Sequence, residues 1–228
     1  DTTVAYPGPR HYKAGYKRVA KIHGYHKLGC EIVIDDKGKT VKIEGRDFEV
    51  GETLQKSSHI VAFSHVKGHI ATGMGAAIKN FGMGGVTKEN KRSMHHASRP
   101  IHKKDKCTYC GVCAEVCPFD ALTVKQNKWK LSKRKCFGCG VCVENCPEGG
   151  LINEDKDLQF LLACATLACV KDKNVIYIND VNRIADSCDC DPLAKKILCP
   201  DIGFLVFFDP VAIDKVFLDL INDVKEDI

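Results

Sequence analysis

The chain has 228 residues, of which 44% are hydrophobic and 28% charged, with a formal net charge of +5. That length allows one or two domains and a substantial core, and no run reaches the ~18 apolar residues a membrane helix needs. The opening Asp1-Thr-Thr-Val-Ala-Tyr-Pro-Gly-Pro-Arg is polar and turn-rich, unlike a secretory signal, and a start without Met suggests processing or a missing segment.

Residues 11–27 carry Tyr12, Tyr16, Val19, Ala20 and His23 at helical spacing, so they predict an amphipathic helix. Glu31–Asp35 and Lys39–Ile43 read as strands around a turn at Asp36-Lys-Gly, with Cys30 as a core thiol. His59–His65 reads as an apolar strand running into a glycine-rich stretch from Gly68 to Gly85. Strand, glycine-rich turn and short helix form a setting in which backbone N–H groups bind an anion. The stretch is not a Walker A sequence, and Gly73 and Gly75 do not complete G-x-G-x-x-G. Thr87 is placed to cap a helix through Ser98 that carries His95 and His96.

Two cysteine runs follow. Cys107, Cys110, Cys113 and Cys117 precede Pro118; Cys136, Cys139, Cys142 and Cys146 precede Pro147. Each run is C-x-x-C-x-x-C-x-x-x-C-P, which holds four-iron four-sulfur clusters in bacterial-type ferredoxins. The tandem repetition argues against a structural zinc site. In such pairs the fourth cysteine ligates the other cluster. Cys107, Cys110, Cys113 and Cys146 are therefore assigned to one cluster, and Cys136, Cys139, Cys142 and Cys117 to the second. Gly111, Gly138 and Gly140 allow close backbone approach, and Ala121–Leu131 reads as a short hairpin. Residues 103–152 thus resemble a complete two-cluster ferredoxin module.

With eight of fourteen cysteines in these motifs, a reducing cytoplasm is the better reading than a secreted disulfide framework. Eight thiolates around two oxidised cores add about −4, which leaves about +1. The lysines Lys103, Lys104, Lys106, Lys125, Lys128, Lys130, Lys133 and Lys135, with Arg134, offset cluster charge and decorate a docking face. A nucleic-acid role for this basicity lacks the interleaved aromatic residues of a single-strand binder.

After the module, Leu158, Leu161, Leu162, Ala165 and Ala168 form a helical stripe, with Cys164 and Cys169 as buried small residues. Asn174–Ile178 reads as a strand. Gly203–Phe208 is apolar throughout, as expected of a parallel strand covered on both faces. Asp209-Pro210 starts a helix with Ile213, Val216, Phe217, Leu220 and Ile221 in register. The expected fold is α/β, a mostly parallel sheet with helices on both faces, carrying an inserted α+β ferredoxin-like module. The boundaries are 1–102 plus 153–228 for the discontinuous domain and 103–152 for the insertion.

The flanks resemble a known family. His65-Val-Lys67-Gly-His69, Gly75-Ala-Ala-Ile-Lys79-Asn80, Cys188-Asp189-Cys190, Pro200-Asp201-Ile-Gly203 and Asp209-Pro210-Val-Ala-Ile-Asp214 are similar to the domain-of-unknown-function 362 family. The resemblance implies an iron–sulfur protein of an anaerobic organism, with the ferredoxin inserted in one α/β domain. His69, Lys79 and His95 also resemble, in order and interval, residues of the lactate racemase family. Carried over, Lys79 is a covalent cofactor anchor, His95 a metal ligand and His69 an acid–base group. The alternative is that Lys79 and Asn80 hold turn backbone. Cys188 and Cys190, with Asp189, form a further candidate metal site.

These readings converge on a cytoplasmic electron-transfer protein with two four-iron four-sulfur clusters and a redox protein partner. It has no nucleic-acid partner and no membrane span, and a homo-oligomer stays open. The rivals are a redox enzyme with a substrate, metal or anion near His69, Lys79 and His95, and a subunit of a larger oxidoreductase. Function resides in the site rather than the fold, so the resemblance does not choose among them.

Overall fold

Alternation of buried and exposed residues sets the central sheet. The computed structural model describes residues 1–153, 158–188 and 196–226. In chain order it has α1 (Lys13–Ile22), β1 (Gly38–Ile43), β2 (Arg46–Gly51), α2 (Glu52–Lys56), β3 (His59–His65), β4 (Lys67–His69), β5 (Gly73–Gly75), α3 (Ala77–Gly84) and α4 (Lys88–Ala97). There follow β6 (Pro100–His102), α5 (Val112–Glu115), β7 (Leu122–Lys125), β8 (Lys128–Leu131), α6 (Val141–Glu144) and β9 (Leu151–Asn153). The chain ends with α7 (Leu158–Val170), β10 (Asn174–Val181), β11 (Gly203–Phe207) and α8 (Pro210–Glu226). No helix among the described residues is long and apolar enough to cross a membrane.

The chain forms two compact units. The first comprises Asp1–His69, Met74–Arg92 and Leu162–Ile228. Its three-stranded sheet has the order β11-β10-β3. β10 runs parallel to β3, with Tyr177 opposite Ala62, and antiparallel to β11, with Asn179 opposite Leu205. Val175, Tyr177, Asn179 and Val181 are buried on one face of β10. On that face the Phe81 ring meets Tyr177 edge-on at 5.9 Å. Within the same unit Val66, Val181, Ile184, Phe217 and Ile221 build an apolar core that takes in one side of α8.

The expectation of one mostly parallel sheet covered on both faces is corrected here. The sheets are small and mixed. β11 is an antiparallel edge strand, and on one side of the sheet Phe204 and Val206 are exposed, as are Val61 and Phe63. Apolar runs therefore did not mean double coverage: this side of the sheet is bare among the described residues. Two smaller expectations also fail. Glu31–Asp35 makes only an isolated bridge from Asp35 to Thr2, because β1 pairs instead with β2 across a Glu44-Gly45 turn. Cys30 is exposed, not a core thiol. The helices around Tyr16, after Thr87 and after Asp209 form as expected. Thr87 Oγ1 accepts the Asn90 N–H at 3.4 Å, and Asp209 Oδ1 accepts those of Val211 and Ala212 at 2.7 and 3.0 Å.

The second unit comprises Ile70–Gly73 and Ser93–Leu161, wider than 103–152. Its ends are clipped by β6 and β9, which pair Pro100 with Asn153 and His102 with Leu151. Between them lie the β7–β8 hairpin and the short helices α5 and α6. Around the hairpin, Cys113, Leu122, Cys142 and Leu151 are buried together in one apolar cluster.

Candidate iron–sulfur site

The two cysteine runs fold alike. Gly111 and Gly140 take φ of 90° and 85°, conformations that favour glycine. Each reverses the chain into a one-turn helix: the Ala114 N–H donates to Gly111 O and the Val143 N–H to Gly140 O, both at 2.8 Å. The third cysteine of each run, Cys113 or Cys142, sits in that turn and is buried.

Two of the cavities within the second unit are each walled by four cysteines. One is lined by Cys107, Cys110, Cys113 and Cys146, with Val124, Trp129 and Leu151 among its walls. The other is lined by Cys136, Cys139, Cys142 and Cys117, with Leu122, Leu131 and Phe137. The fourth cysteine of each run thus lines the cavity of the other run. Burial raises the Cys113 thiol pKa, with Cys107, Cys110 and Cys146 adding to the rise and Trp129 opposing it. Burial also pushes Cys142 up to about 12, helped first by Cys139 and Cys136. Cys139 is raised by burial, and by Cys117 and Cys136.

The hairpin is the wall common to both cavities. β7 and β8 pair Leu122 with Leu131 and Val124 with Trp129. Val124 and Trp129 face the first cavity, and Leu122 and Leu131 the second. The Trp129 indole Nε1 is buried and meets no acceptor at normal hydrogen-bond geometry among the described residues, the Cys113 thiol being the group on which it acts. A buried N–H of this kind at a cavity ringed by sulfurs fits a donor for an acceptor that would occupy the cavity. The His102 ring stacks on Trp129, with centroids 4.8 Å apart. Sequence reasoning missed Trp129 and His102 as site residues; a lone indole in a hairpin gives no signal until the register is known.

His95 belongs to this unit, where its ring packs on Phe137 at 4.2 Å. Its carbonyl lies so close to Gly138 that a Cβ there would sit 2.2 Å away, so Gly138 serves that approach. His69 and Lys79 belong to the first unit, His69 ending β4 and Lys79 in α3. The Lys79 side chain runs over Gly75, where a Cβ would lie 3.2 Å from its Cδ and 3.6 Å from Lys67 Cε. Asn80 holds strand β3, donating from Nδ2 to Phe63 O at 3.0 Å and Ser64 Oγ at 2.9 Å.

The anion setting expected at the glycine-rich stretch is filled from within the chain. The first N–H groups of α3, on Ala77 and Ile78, donate to the Asp214 carboxylate at 2.9 and 3.0 Å, and Asn179 Nδ2 adds a third bond at 2.9 Å. Burial raises the Asp214 pKa, and these donors oppose the rise. Of the Cys188–Cys190 candidate, Asp189 and Cys190 lie outside the described residues. Among the described residues no group of three or more His, Cys, Asp or Glu is arranged to hold a single metal ion.

A profile of the family described as Domain of unknown function (DUF362) matches residues 3–219. A ferredoxin from Methanothermococcus thermolithotrophicus is 58% identical over 26 residues, which cover 11% of this chain and 43% of that ferredoxin. The chain therefore spans less than half the length of that relative.

Proposed function

Because the chain belongs to the DUF362 family, whose name carries no activity, we propose its function from the site: an electron carrier holding two four-iron four-sulfur clusters. Cys107, Cys110, Cys113 and Cys146 would ligate one, and Cys136, Cys139, Cys142 and Cys117 the other. The observation that carries this reading is the lining of the two cavities, each by four cysteines drawn from both runs. Bound there, such a cluster takes up and releases one electron at a time. The chain's own part is to supply the thiolates, to keep water off with Leu122, Val124, Leu131 and Leu151, and to aim the Trp129 N–H at the first cavity. The short match to a ferredoxin supports the same reading. A redox protein partner would deliver or remove the electron.

Anaerobic reconstitution should give about eight irons and eight sulfides per chain. Cys117→Ser should damage the cluster held otherwise by Cys136, Cys139 and Cys142 and leave the other largely intact. Electron paramagnetic resonance of the reduced variant reads this. Zinc in place of iron, or loss of the signal tied to Cys107, Cys110 and Cys113, would overturn the assignment.

A further inference from the structure

We propose that the outer face of the β7–β8 hairpin is the docking surface for an acidic redox protein, a proposal that rests on reading the two cavities as cluster sites. The hairpin separates its side chains by alternation. Leu122, Val124, Trp129 and Leu131 point to the cavities, and Lys125, Lys128 and Lys130 stand exposed on the other side. No acidic residue lies between Leu122 and Leu131, and none of the three lysines makes an ion pair among the described residues. Lys125 pairs directly with Lys128. Like charges directly opposed across strands are destabilising, so the fold gains nothing from this placement. Exposed Lys133, Arg134 and Lys135 follow in the next turn, which Arg99 steadies by donating to Lys133 O at 2.6 Å.

A single strand layer therefore separates a basic face from both cavities. A partner with a negative surface would be drawn to the place where the path to the cavities is short, which raises encounter rates and fixes orientation. Nucleic acid is the poorer occupant. The hairpin's one aromatic, Trp129, is turned to the cavity, so the outer face has no stacking platform.

The test uses reconstituted, fully reduced protein whose iron content has been measured first; a chain without iron defeats the cluster reading and leaves this one without a premise. Oxidation is followed with the anionic cobalt(III)–EDTA complex and with cationic hexaamminecobalt(III). Each cobalt(III) ion takes one electron from the protein and becomes cobalt(II). The rate with the anion should fall about tenfold or more from low to physiological salt, and the rate with the cation should rise. Lys125→Glu/Lys128→Glu/Lys130→Glu should reverse both slopes, and the matching Lys→Gln variant should flatten them, with iron content unchanged. In parallel, binding to poly-L-glutamate and to short duplex DNA is measured at matched salt. Loss of poly-glutamate binding in the Lys→Gln variant supports an acidic protein. Slopes that ignore the substitutions, or DNA binding much tighter than poly-glutamate binding, would overturn the proposal.

Discussion

Several residues that carry the family resemblance spend their side chains on the fold. Asp214 seals the start of α3, Asn80 binds β3, and Asp201 Oδ1 accepts the Arg183 N–H at 2.7 Å. Gly68 sits where a Cβ would lie 2.1 Å from Asp186 O. A motif of polar and glycine residues therefore reads as a site in sequence and resolves into locks once partners are known. Lys91 is a different case. It is 6% exposed, and its Nζ donates to Thr2 O, Thr2 Oγ1 and Thr3 O at 3.2, 2.7 and 2.8 Å. Burial brings its pKa down to about 7, with Arg10 adding to the effect. Below that pH the ammonium is charged in both states, and the folded chain bears its desolvation. Above it the folded lysine is neutral and the unfolded one stays charged up to a pKa of about 10.4. The unfolded state then binds more protons, so stability rises with pH across this window. Urea unfolding at pH 7 and pH 9 should show wild type gaining on Lys91→Met by up to about 1.4 kcal/mol per pH unit. A constant difference between the two proteins would mean that Lys91 stays charged in the fold.

At the scale of elements, the β7–β8 hairpin carries a local cost. Gln126 and Asn127 both have positive φ, 49° and 55°, the conformation of a type I′ turn. Asn tolerates this region and Gln does not. Gln126→Asn/Asn127→Gly installs the favoured pair and should stabilise the second unit by about 1 kcal/mol, read as a rise in its thermal midpoint with an unchanged visible spectrum. A lower midpoint would show that the observed side chains make compensating contacts. The same hairpin shows what sequence can and cannot reveal. Cysteine spacing and Pro118 and Pro147 are local patterns, so the paired cavities were legible, and so was a hairpin after Ala121. Which side of it Trp129 and the lysines would take depended on register. β11 departs from its expectation for a related reason: Phe204 and Val206 advertise burial, and only the topology shows their side of that edge strand bare.

For the whole molecule, the two units differ in what holds them. The first has its own core around Val66, Val181, Ile184, Phe217 and Ile221, together with a three-stranded sheet. In the second, the cluster around the hairpin takes the cysteines Cys113 and Cys142 as buried members beside Leu122 and Leu151. A small unit that packs cysteines into its core needs a staple, and metal binding at a site absent from the unfolded chain is itself folding free energy. Iron removal should therefore act unequally. After anaerobic chelation of the reconstituted protein, amides of β7, β8, α5 and α6 should exchange with solvent at least about a hundredfold faster, the loss of roughly 3 kcal/mol of local stability. Amides of β3 and β10 should keep their protection, because their ladder from Asn174 opposite His59 to Asp180 opposite His65 uses no residue of the second unit. Hydrogen exchange read by mass spectrometry resolves the two sets. Protection lost equally from β3 and β10 would mean that the units fold as one, and that the iron stabilises the whole chain rather than the unit whose cysteines line the cavities.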